Sequence, residues 1–437
     1  MRQGFPRRPL ILVAEGVKSQ ETLLQDIETW LGDAAGRPLF YPSWEILPQD
    51  SKLPHADVIS ERLQTLLSLS ARGHGLVVTN VQALQQKTFT SSDLKTRSRI
   101  LKRGERIEPL DLIEWLEEQG YEPEAQVTSK GEISLRGGIL DVYPPPSPWP
   151  VRIEFFGDEI ESLRHFDPHT QISRENIDEV AISPAGELAF LKQRMDRETK
   201  PELATLLEHL PDDAIFLLFE PERLREAAAK YRHQIPDDDP FTVDWEEFAR
   251  QAERRGCTLV HCSAEGRLIL DSLEAFRPAV DKSAEMQVAE TQRREFFSQV
   301  HRWLRQDYRV HVFCNNDGER QRFTEIWAEY GFAADDPKTQ PKIEIGALSR
   351  GFICDAAKLV VVTDAEIFGR YKVQRPRRLK SPHAAASRSA LDIDFGDLEP
   401  GDFVVHLQHG IGRYQGLEIL PGGFGQSAAP STKTDAP

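Results

Sequence analysis

Leu10 to Val13 form a short apolar run, and Leu23, Leu24, Ile27 and Trp30 then recur at helical spacing, which predicts a strand followed by an amphipathic helix. Leu39 to Tyr41 reads as a strand, Leu63, Leu66, Leu67 and Leu69 as one face of a second helix, and Leu76 to Val78 as a buried strand. Strands alternating with helices predict a parallel sheet with both faces covered. Near residue 108 the period changes. After one helix carrying Leu112, Ile113, Trp115 and Leu116, short strands follow at Glu132 to Leu135, Ile139 to Tyr143, Val151 to Phe156 and Glu159 to Phe166. Val151, Ile153 and Phe155 alternate with Arg152 and Glu154, the period of a sheet with one buried and one wet face. Gly137-Gly138 and Gly157-Asp158 supply tight turns, and the prolines between Pro144 and Pro150 cannot lie inside a central strand. An antiparallel meander is expected here, inserted into or appended to the α/β unit.

From about residue 189 the two periods alternate again. Ala214 to Phe219 precedes a helix from Glu222, and Thr258 to Cys262 forms another strand. A polar stretch from Val280 to Thr291 leads to a helix with Phe296, Phe297, Val300 and Trp303, a strand Val310 to Phe313, a helix with Phe323, Ile326 and Trp327, and a closing strand Lys358 to Thr363. That predicts a second, smaller α/β domain. Between 370 and 394 the periodicity disappears, and Arg370, Lys372, Arg375, Arg377, Arg378 and Lys380 stand close together, the composition of a solvated linker. A new β segment begins near Gly401 with Phe403, Val404 and Val405 and is expected to turn at Gly410 and Gly412, and the stretch from Pro421 to Pro437 reads as disordered.

Charge narrows the choice of partners. The 437 residues carry 54 Lys plus Arg against 70 Asp plus Glu, a net charge of −16, so DNA binding is expected to be weak at most and protein partners are the better default. No apolar run approaches the roughly 18 residues of a membrane span, and the run after Arg7 and Arg8 is too short for a signal-peptide core. A cytoplasmic protein is expected. The four cysteines, Cys257, Cys262, Cys314 and Cys354, contain no CxxC pair. The segment Cys257 to Cys262, with His261, reads as a buried core strand rather than a metal site.

The catalytic motifs that would suit an α/β chain are missing. Gly16-Val17-Lys18-Ser19 follows a strand but lacks the glycine spacing that lets backbone N–H groups cradle phosphates. Asp364 and Glu366, after the apolar run Val360 to Val362, imitate magnesium-binding acids but read as solvated acids at a strand end. No nucleophile elbow, zinc helix or dinucleotide fingerprint occurs. The motifs therefore describe a non-catalytic, multi-domain binding protein with no cofactor and no metal.

Three stretches resemble one family. Tyr41-Pro42-Ser43-Trp44-Glu45-Ile46-Leu47-Pro48 with Glu61-Arg62-Leu63 is the first. Arg136-Gly137-Gly138-Ile139-Leu140-Asp141-Val142-Tyr143-Pro144 with Arg152-Ile153-Glu154-Phe155-Phe156-Gly157-Asp158-Glu159-Ile160 is the second. Val404-Val405-His406 with His409-Gly410-Ile411-Gly412-Arg413-Tyr414 is the third. In this order they resemble the bacterial transcription-repair coupling factor (Mfd) family, and the first two are also similar to the excision-repair helicase subunit UvrB. The resemblance implies an α/β, multi-domain architecture. Residues 1–107 and 189–284 would form a degenerate UvrB-like parallel-sheet domain that has lost its phosphate loop. Residues 108–188 would be an inserted antiparallel β-rich (α+β) domain that binds the damage-recognition ATPase UvrA. Residues 285–375 would be a small α/β domain, 376–397 a linker, and 398–437 an incomplete RNA-polymerase-interacting β module with a disordered tail.

The same resemblance implies UvrA contact through Arg136, Arg152 and Phe156. Ser134 and Pro123 stand where relatives carry arginine. Read from the residues alone, Arg136 is a strand-end arginine pairing with Asp141 or Glu132, and one of Phe155 and Phe156 is core while the other is exposed. Polymerase contact, through the β subunit, would fall to His406, His409, Arg413 and Tyr414. The expected role is recruitment of UvrA to stalled RNA polymerase. Two alternatives stay open: part of a complete ATP-dependent DNA translocase whose motor lies beyond this chain, or a stand-alone polymerase-binding regulator.

Overall fold

A computed structural model describes residues 8–32, 37–50, 52–72, 75–197, 202–262, 270–276, 286–332, 340–363, 366–367, 403–406 and 410–413. The first apolar run becomes strand β1 (Leu10–Ala14), buried along its whole length, and the helical repeat after it becomes α1 (Val17–Leu31). Next come β2 (Leu39–Tyr41), α2 (Ala56–Arg72), β3 (Leu76–Asn80) and the short helices α3 (Val81–Gln85) and α4 (Ser91–Thr96). Strand β4 (Arg99–Lys102) opens the inserted region, which holds α5 (Pro109–Glu118), β5 (Glu122–Pro123), β6 (Glu132–Arg136), β7 (Ile139–Val142), β8 (Val151–Phe156), β9 (Glu159–Phe166), β10 (Ser173–Ile177) and β11 (Glu179–Ile182). The chain returns through α6 (Leu188–Arg197), β12 (Ile215–Phe219), α7 (Pro221–Arg232), α8 (Trp245–Arg254) and β13 (Thr258–Cys262). Local chemistry marks several helix starts: Pro109 and Pro221 occupy the first turns of α5 and α7, where a missing N–H costs nothing, and Asn80 and Thr90 cap α3 and α4 with side-chain oxygens.

The returning strand β12 pairs with β1 in parallel, Leu10 opposite Ile215, and completes a five-stranded parallel sheet of order β13-β12-β1-β3-β2. Ile11, Val77 and Phe216 from its strands share one apolar cluster with Leu63 and Leu66 of α2 and Phe248 of α8. The sequence expectation of a wholly buried strand at Cys257 to Cys262 needs correcting. Cys257 is buried, but β13 is an edge strand whose His261 is exposed and whose Cys262 is half-buried, because among the described residues no strand pairs beyond it.

The insertion is a six-stranded sheet of order β10-β9-β8-β7-β6-β5. The sequence pattern predicts the four middle strands. The outer two escape it because β10 is polar and almost fully exposed and β5 is a two-residue parallel edge containing Pro123, a position where proline is tolerated. Leu140, Val142, Val151, Ile153, Ile160 and Leu163 pack one face of this sheet against Leu112 and Leu116 of α5. Strands β4 and β11 pair with each other, from Arg99 opposite Ile182 to Lys102 opposite Glu179, so the chain enters and leaves the insertion through one antiparallel ribbon. Against α2, Lys130 Nζ donates to Ser60 Oγ at 2.7 Å, and Ser60 Oγ donates to the Pro145 carbonyl at 2.5 Å.

Where the chain leaves the insertion, Glu187 meets Arg62 of α2. Arg62 Nε and Nη2 donate to the two Glu187 oxygens at 2.7 and 2.9 Å, and both side chains are 0% exposed. The Arg62 guanidinium lies 4.3 Å from the Tyr41 ring centroid and 4.9 Å from that of Trp44, donates to the Pro42 carbonyl at 2.8 Å, and shares Glu187 with Trp44 Nε1 at 3.0 Å.

The smaller domain comprises β14 (Asp271–Ser272), α9 (Met286–Arg305), β15 (Arg309–Cys314), α10 (Asp317–Glu329), β16 (Lys342–Ile345), β17 (Phe352–Cys354) and β18 (Leu359–Thr363), with sheet order β14-β17-β18-β15-β16. Phe297 stacks on Phe323 with ring centroids 5.1 Å apart at the centre of its core. Trp30 does not fill the core of its own domain, as its helical spacing predicts. It is 54% exposed and leans on Phe313 at 5.7 Å, because the outer face of α1 docks on the smaller domain. There Ser349 donates its N–H and hydroxyl to the Asp26 carboxylate at 2.7 and 2.6 Å, and Thr29 Oγ1 donates to the Ala347 carbonyl at 2.9 Å. A Cβ at Gly346 would stand 2.5 Å from Thr29 Cγ2, so only glycine permits this approach.

A second correction concerns Glu366. Instead of being solvated it is 6% exposed and accepts from Thr363 N, Thr363 Oγ1 and Gly351 N at 2.8, 2.6 and 3.0 Å. Asp364 lies outside the described residues. From residue 381 the chain forms a separate unit, in which β19 (Phe403–His406) and β20 (Gly410–Arg413) pair antiparallel. Gly410 and Gly412 lie within β20 and not at the turn. The basic run Arg370 to Lys380 and the stretch from Pro421 onward lie outside the described residues. Among the described residues no helix is long and apolar enough to cross a membrane.

Removing Glu187 would leave a buried guanidinium with its main counter-charge gone, and breaking a buried pair on one side costs about 3–5 kcal/mol. Glu187→Ala is therefore expected to lower the urea midpoint of the α/β domain steeply. A midpoint within experimental scatter of the wild type would show that the ion pair does not hold this junction.

Candidate partner-binding face

The crevice at the carboxyl ends of β1 and β3, where open parallel sheets usually take ligands, is filled by side chains. Buried Gln20 donates to the Tyr41 and Val78 carbonyls at 3.1 and 2.9 Å and accepts from Asn80 Nδ2 at 2.6 Å. The turn before it is closed on itself: Ser19 Oγ accepts from Gly16 N at 3.2 Å and donates to the Gly16 carbonyl at 3.1 Å. The N–H groups that would cradle a phosphate are thus partly satisfied internally, and a large amide occupies the base of the site. Among the described residues no group of three or more His, Cys, Asp or Glu could hold a metal.

The solvent face of the inserted sheet is where charge and exposed apolar surface meet. Arg136 ends β6 just before Gly137, whose φ of +64° suits a residue without Cβ in the left-handed region. Its side chain is 51% exposed, and its Nη2 donates to Asp141 Oδ2 at 3.0 Å. Asp141, on β7, lies directly across from Arg152 on β8. Arg152 grips the same carboxylate twice, Nε to Oδ1 at 2.7 Å and Nη2 to Oδ2 at 2.9 Å, and lies 4.5 Å from the Phe166 ring centroid. The hydrogen bonds to Asp141 raise the Arg152 pKa above its ordinary value, against the opposing effect of burial. Glu132, the other acid within sequence reach of Arg136, instead accepts from the backbone N–H groups of Thr128 and Ser129 at 2.7 and 2.8 Å.

Farther along β8, alternation separates the two phenylalanines. Phe155 packs against the core of the insertion, whereas Phe156 is 79% exposed beside the tight turn at Gly157, where φ is +64°. Glu154, between the two marked positions, accepts from Arg164 and Ser162 of the neighbouring strand. Next to Phe156 a groove of about 750 Å³ runs between β9 and the ribbon, lined by Lys102, Arg103, Glu159, Glu161, Asp178 and Glu179. Its cations are engaged, Lys102 with Glu179 at 3.2 Å and Arg103 Nε with the Glu161 carbonyl at 3.1 Å.

The structure thus brings Arg136 and Arg152 together around one carboxylate and sets Phe156 on the same sheet. In the sequence Asp141 is only a possible partner of Arg136. Its place between two arginines could have been found from the register, since Ser134, Asp141 and Arg152 fall opposite one another once the hairpins are aligned. In the separate β hairpin, His406 pairs with Gly410 and Arg413 with Phe403, and Arg413 is exposed. His409 and Tyr414 lie outside the described residues.

The UvrB interaction domain family model matches residues 100–188, and the CarD-like/TRCF RID domain model matches residues 398–430. A transcription-repair-coupling factor from Myxococcus xanthus is 28% identical over 96% of this chain and 42% of its own length. Those from Bacillus subtilis (strain 168) and Escherichia coli (strain K12) are 26% and 24% identical over 94% and 95% of this chain, each over 40% of their own length. The chain therefore spans about two fifths of the length of these curated relatives.

The two arginines should differ in what their loss does to folding. Arg152→Ala takes two of three hydrogen bonds from a fully buried carboxylate and is expected to lower the melting temperature clearly, by the equivalent of about 1–3 kcal/mol. Arg136→Ala removes one half-exposed arm and is expected to stay within about 0.5 kcal/mol of the wild type. Calorimetric melting of the two variants checks this, and equal losses would mean that Arg136 is as structural as Arg152.

Proposed function

We propose that this chain, homologous over nearly its whole length to part of the bacterial transcription-repair coupling factors, acts as the non-catalytic adaptor segment of such a factor. On this reading the β-rich insertion recruits UvrA, and the β module that begins near residue 398 meets the β subunit of RNA polymerase. Arg413, His406, His409 and Tyr414 are the residues assigned to that second contact. The observation that carries the first contact is the solvent face of the insertion, where the exposed ring of Phe156 stands on a rigid hairpin and shares a sheet with the half-exposed guanidinium of Arg136. Exposed aromatics and arginines on rigid elements are the residues that dominate protein interfaces. Arg152, at 14% exposure, belongs to the same face mainly as its inner support.

Catalysis is assigned elsewhere. The filled crevice around Gln20 and Asn80 supports a parallel-sheet domain that has become scaffold, taking no nucleotide or other cofactor, and the ATP-driven translocation that the resemblance gives to the whole factor lies outside these residues. A net charge of −16 supports DNA contact that is weak and strongly salt-dependent. The setting is the cytoplasm, where UvrA and polymerase work.

Biolayer interferometry against immobilised UvrA tests the adaptor reading. The wild-type chain should bind, and Phe156→Ala, which removes an exposed side chain without disturbing the core, should weaken binding by about 2–4 kcal/mol if the ring is a central anchor. Absence of wild-type binding defeats the reading. Calorimetric titration with Mg-ATP is expected to give no saturable heat, and micromolar binding would contradict the scaffold assignment.

A further inference from the structure

We propose that Asp141 is the positioning residue of the UvrA-binding face, holding Arg136 in its outward pose without touching the partner itself; this rests on the adaptor reading above. Asp141 is 0% exposed, so no partner reaches its carboxylate. Its Oδ1 accepts from Arg152 Nε, and its Oδ2 accepts from both Arg152 Nη2 and Arg136 Nη2, at 2.7, 2.9 and 3.0 Å. Ser134, directly opposite on β6, gives its hydroxyl to the Ala125 carbonyl at 3.0 Å instead. Among the described residues, hydrogen bonds to this carboxylate therefore come from two guanidinium groups.

The two arginines are held unequally. Arg152 is 14% exposed, bidentate on Asp141, and laid over the Phe166 ring, so its position is fixed by the sheet. Arg136 is 51% exposed and tied by one hydrogen bond. Its Nε and Nη1 carry no hydrogen bond to a described residue. Two cations around one anion leave a surplus positive charge, and the exposed member presents it. The matching partner chemistry is a carboxylate on the UvrA surface, because guanidinium and carboxylate form short charge-assisted hydrogen bonds.

Without the Asp141 charge, Arg136 would regain the rotamer freedom of a surface arginine, which must be lost again on binding. Binding would then fall although no contact with the partner had been deleted.

The test is a double-mutant cycle by interferometry against UvrA, using the whole chain as wild type, Asp141→Asn, Arg136→Ala and the two combined. Measurements are made below the melting onset of the least stable variant. Asp141→Asn is expected to weaken binding about tenfold, and in the Arg136→Ala background to change it by less than about twofold, because residues acting through one contact are not additive. Asp141→Glu, which keeps the carboxylate, is expected to retain more binding than Asp141→Asn whatever its melting temperature. Independent, multiplying losses overturn the proposal, since a general weakening of the sheet would also weaken the Arg136→Ala protein. So does wild-type binding by Asp141→Asn, or an Asp141→Glu protein no better than Asp141→Asn. No binding by the wild-type chain defeats the adaptor reading and this proposal together.

Discussion

The junction between the α/β domain and its insertion depends on one buried ion pair. Arg62 arises in the middle of α2, is enclosed by the rings of Tyr41 and Trp44, and meets Glu187 where the chain comes back from the insertion. A buried pair of this kind gives little net stability compared with apolar residues of the same shape, because both groups lose their hydration. What it gives is selectivity. An arginine sealed among aromatic rings tolerates one arrangement of the returning chain, the one that delivers a carboxylate in the plane of its fork.

A contrast between two sites follows from the same scaffold. At the sheet crevice, Gln20 and Asn80 satisfy each other and the carbonyls around them, and the turn at Gly16 closes on Ser19. The donors at that turn are partly satisfied within the chain, and a large amide occupies the base of the crevice. On the insertion the opposite holds, with a ring and a guanidinium left facing water while their supports are buried. On the adaptor reading, the α/β domain serves as the mount and recognition belongs to the part inserted into it.

The sequence was most readable where local periodicity decides the structure. The strands β1, β3, β8, β9 and β12 and the helices carrying Leu63, Phe296 and Phe323 follow from spacing alone, and the three motif stretches point to the family whose domain models match residues 100–188 and 398–430. Long-range chemistry was not readable. Arg62 stands in a motif, yet its partner is 125 residues away, and nothing near it in the chain marks the choice. Glu366 looks solvated in sequence because the backbone donors that enclose it, Gly351 and Thr363, leave no signature in side-chain pattern. Trp30 sits at a core spacing on its helix but faces a second domain whose approach depends on Gly346. His261 and Cys262 read as core in the sequence because an apolar strand does not announce whether it ends a sheet. The contacts assigned to Arg136, Arg152 and Phe156 come from family likeness, and the geometry adds what likeness alone could not: which of the two arginines is held and which is offered.

The ribbon formed by β4 and β11 has a mechanical consequence. Both covalent crossings into the insertion run side by side, hydrogen-bonded from Arg99 and Ile182 at one end to Lys102 and Glu179 at the other. A domain attached through a single linker swivels, and traction on it is spent in turning. Here a pull on the insertion is divided between two neighbouring strands that leave it at the same end, with the Arg62–Glu187 clasp just behind one of them. Turning the insertion would have to strain this strand pair, whose Leu101, Val180 and Ile182 are packed into the insertion's own core.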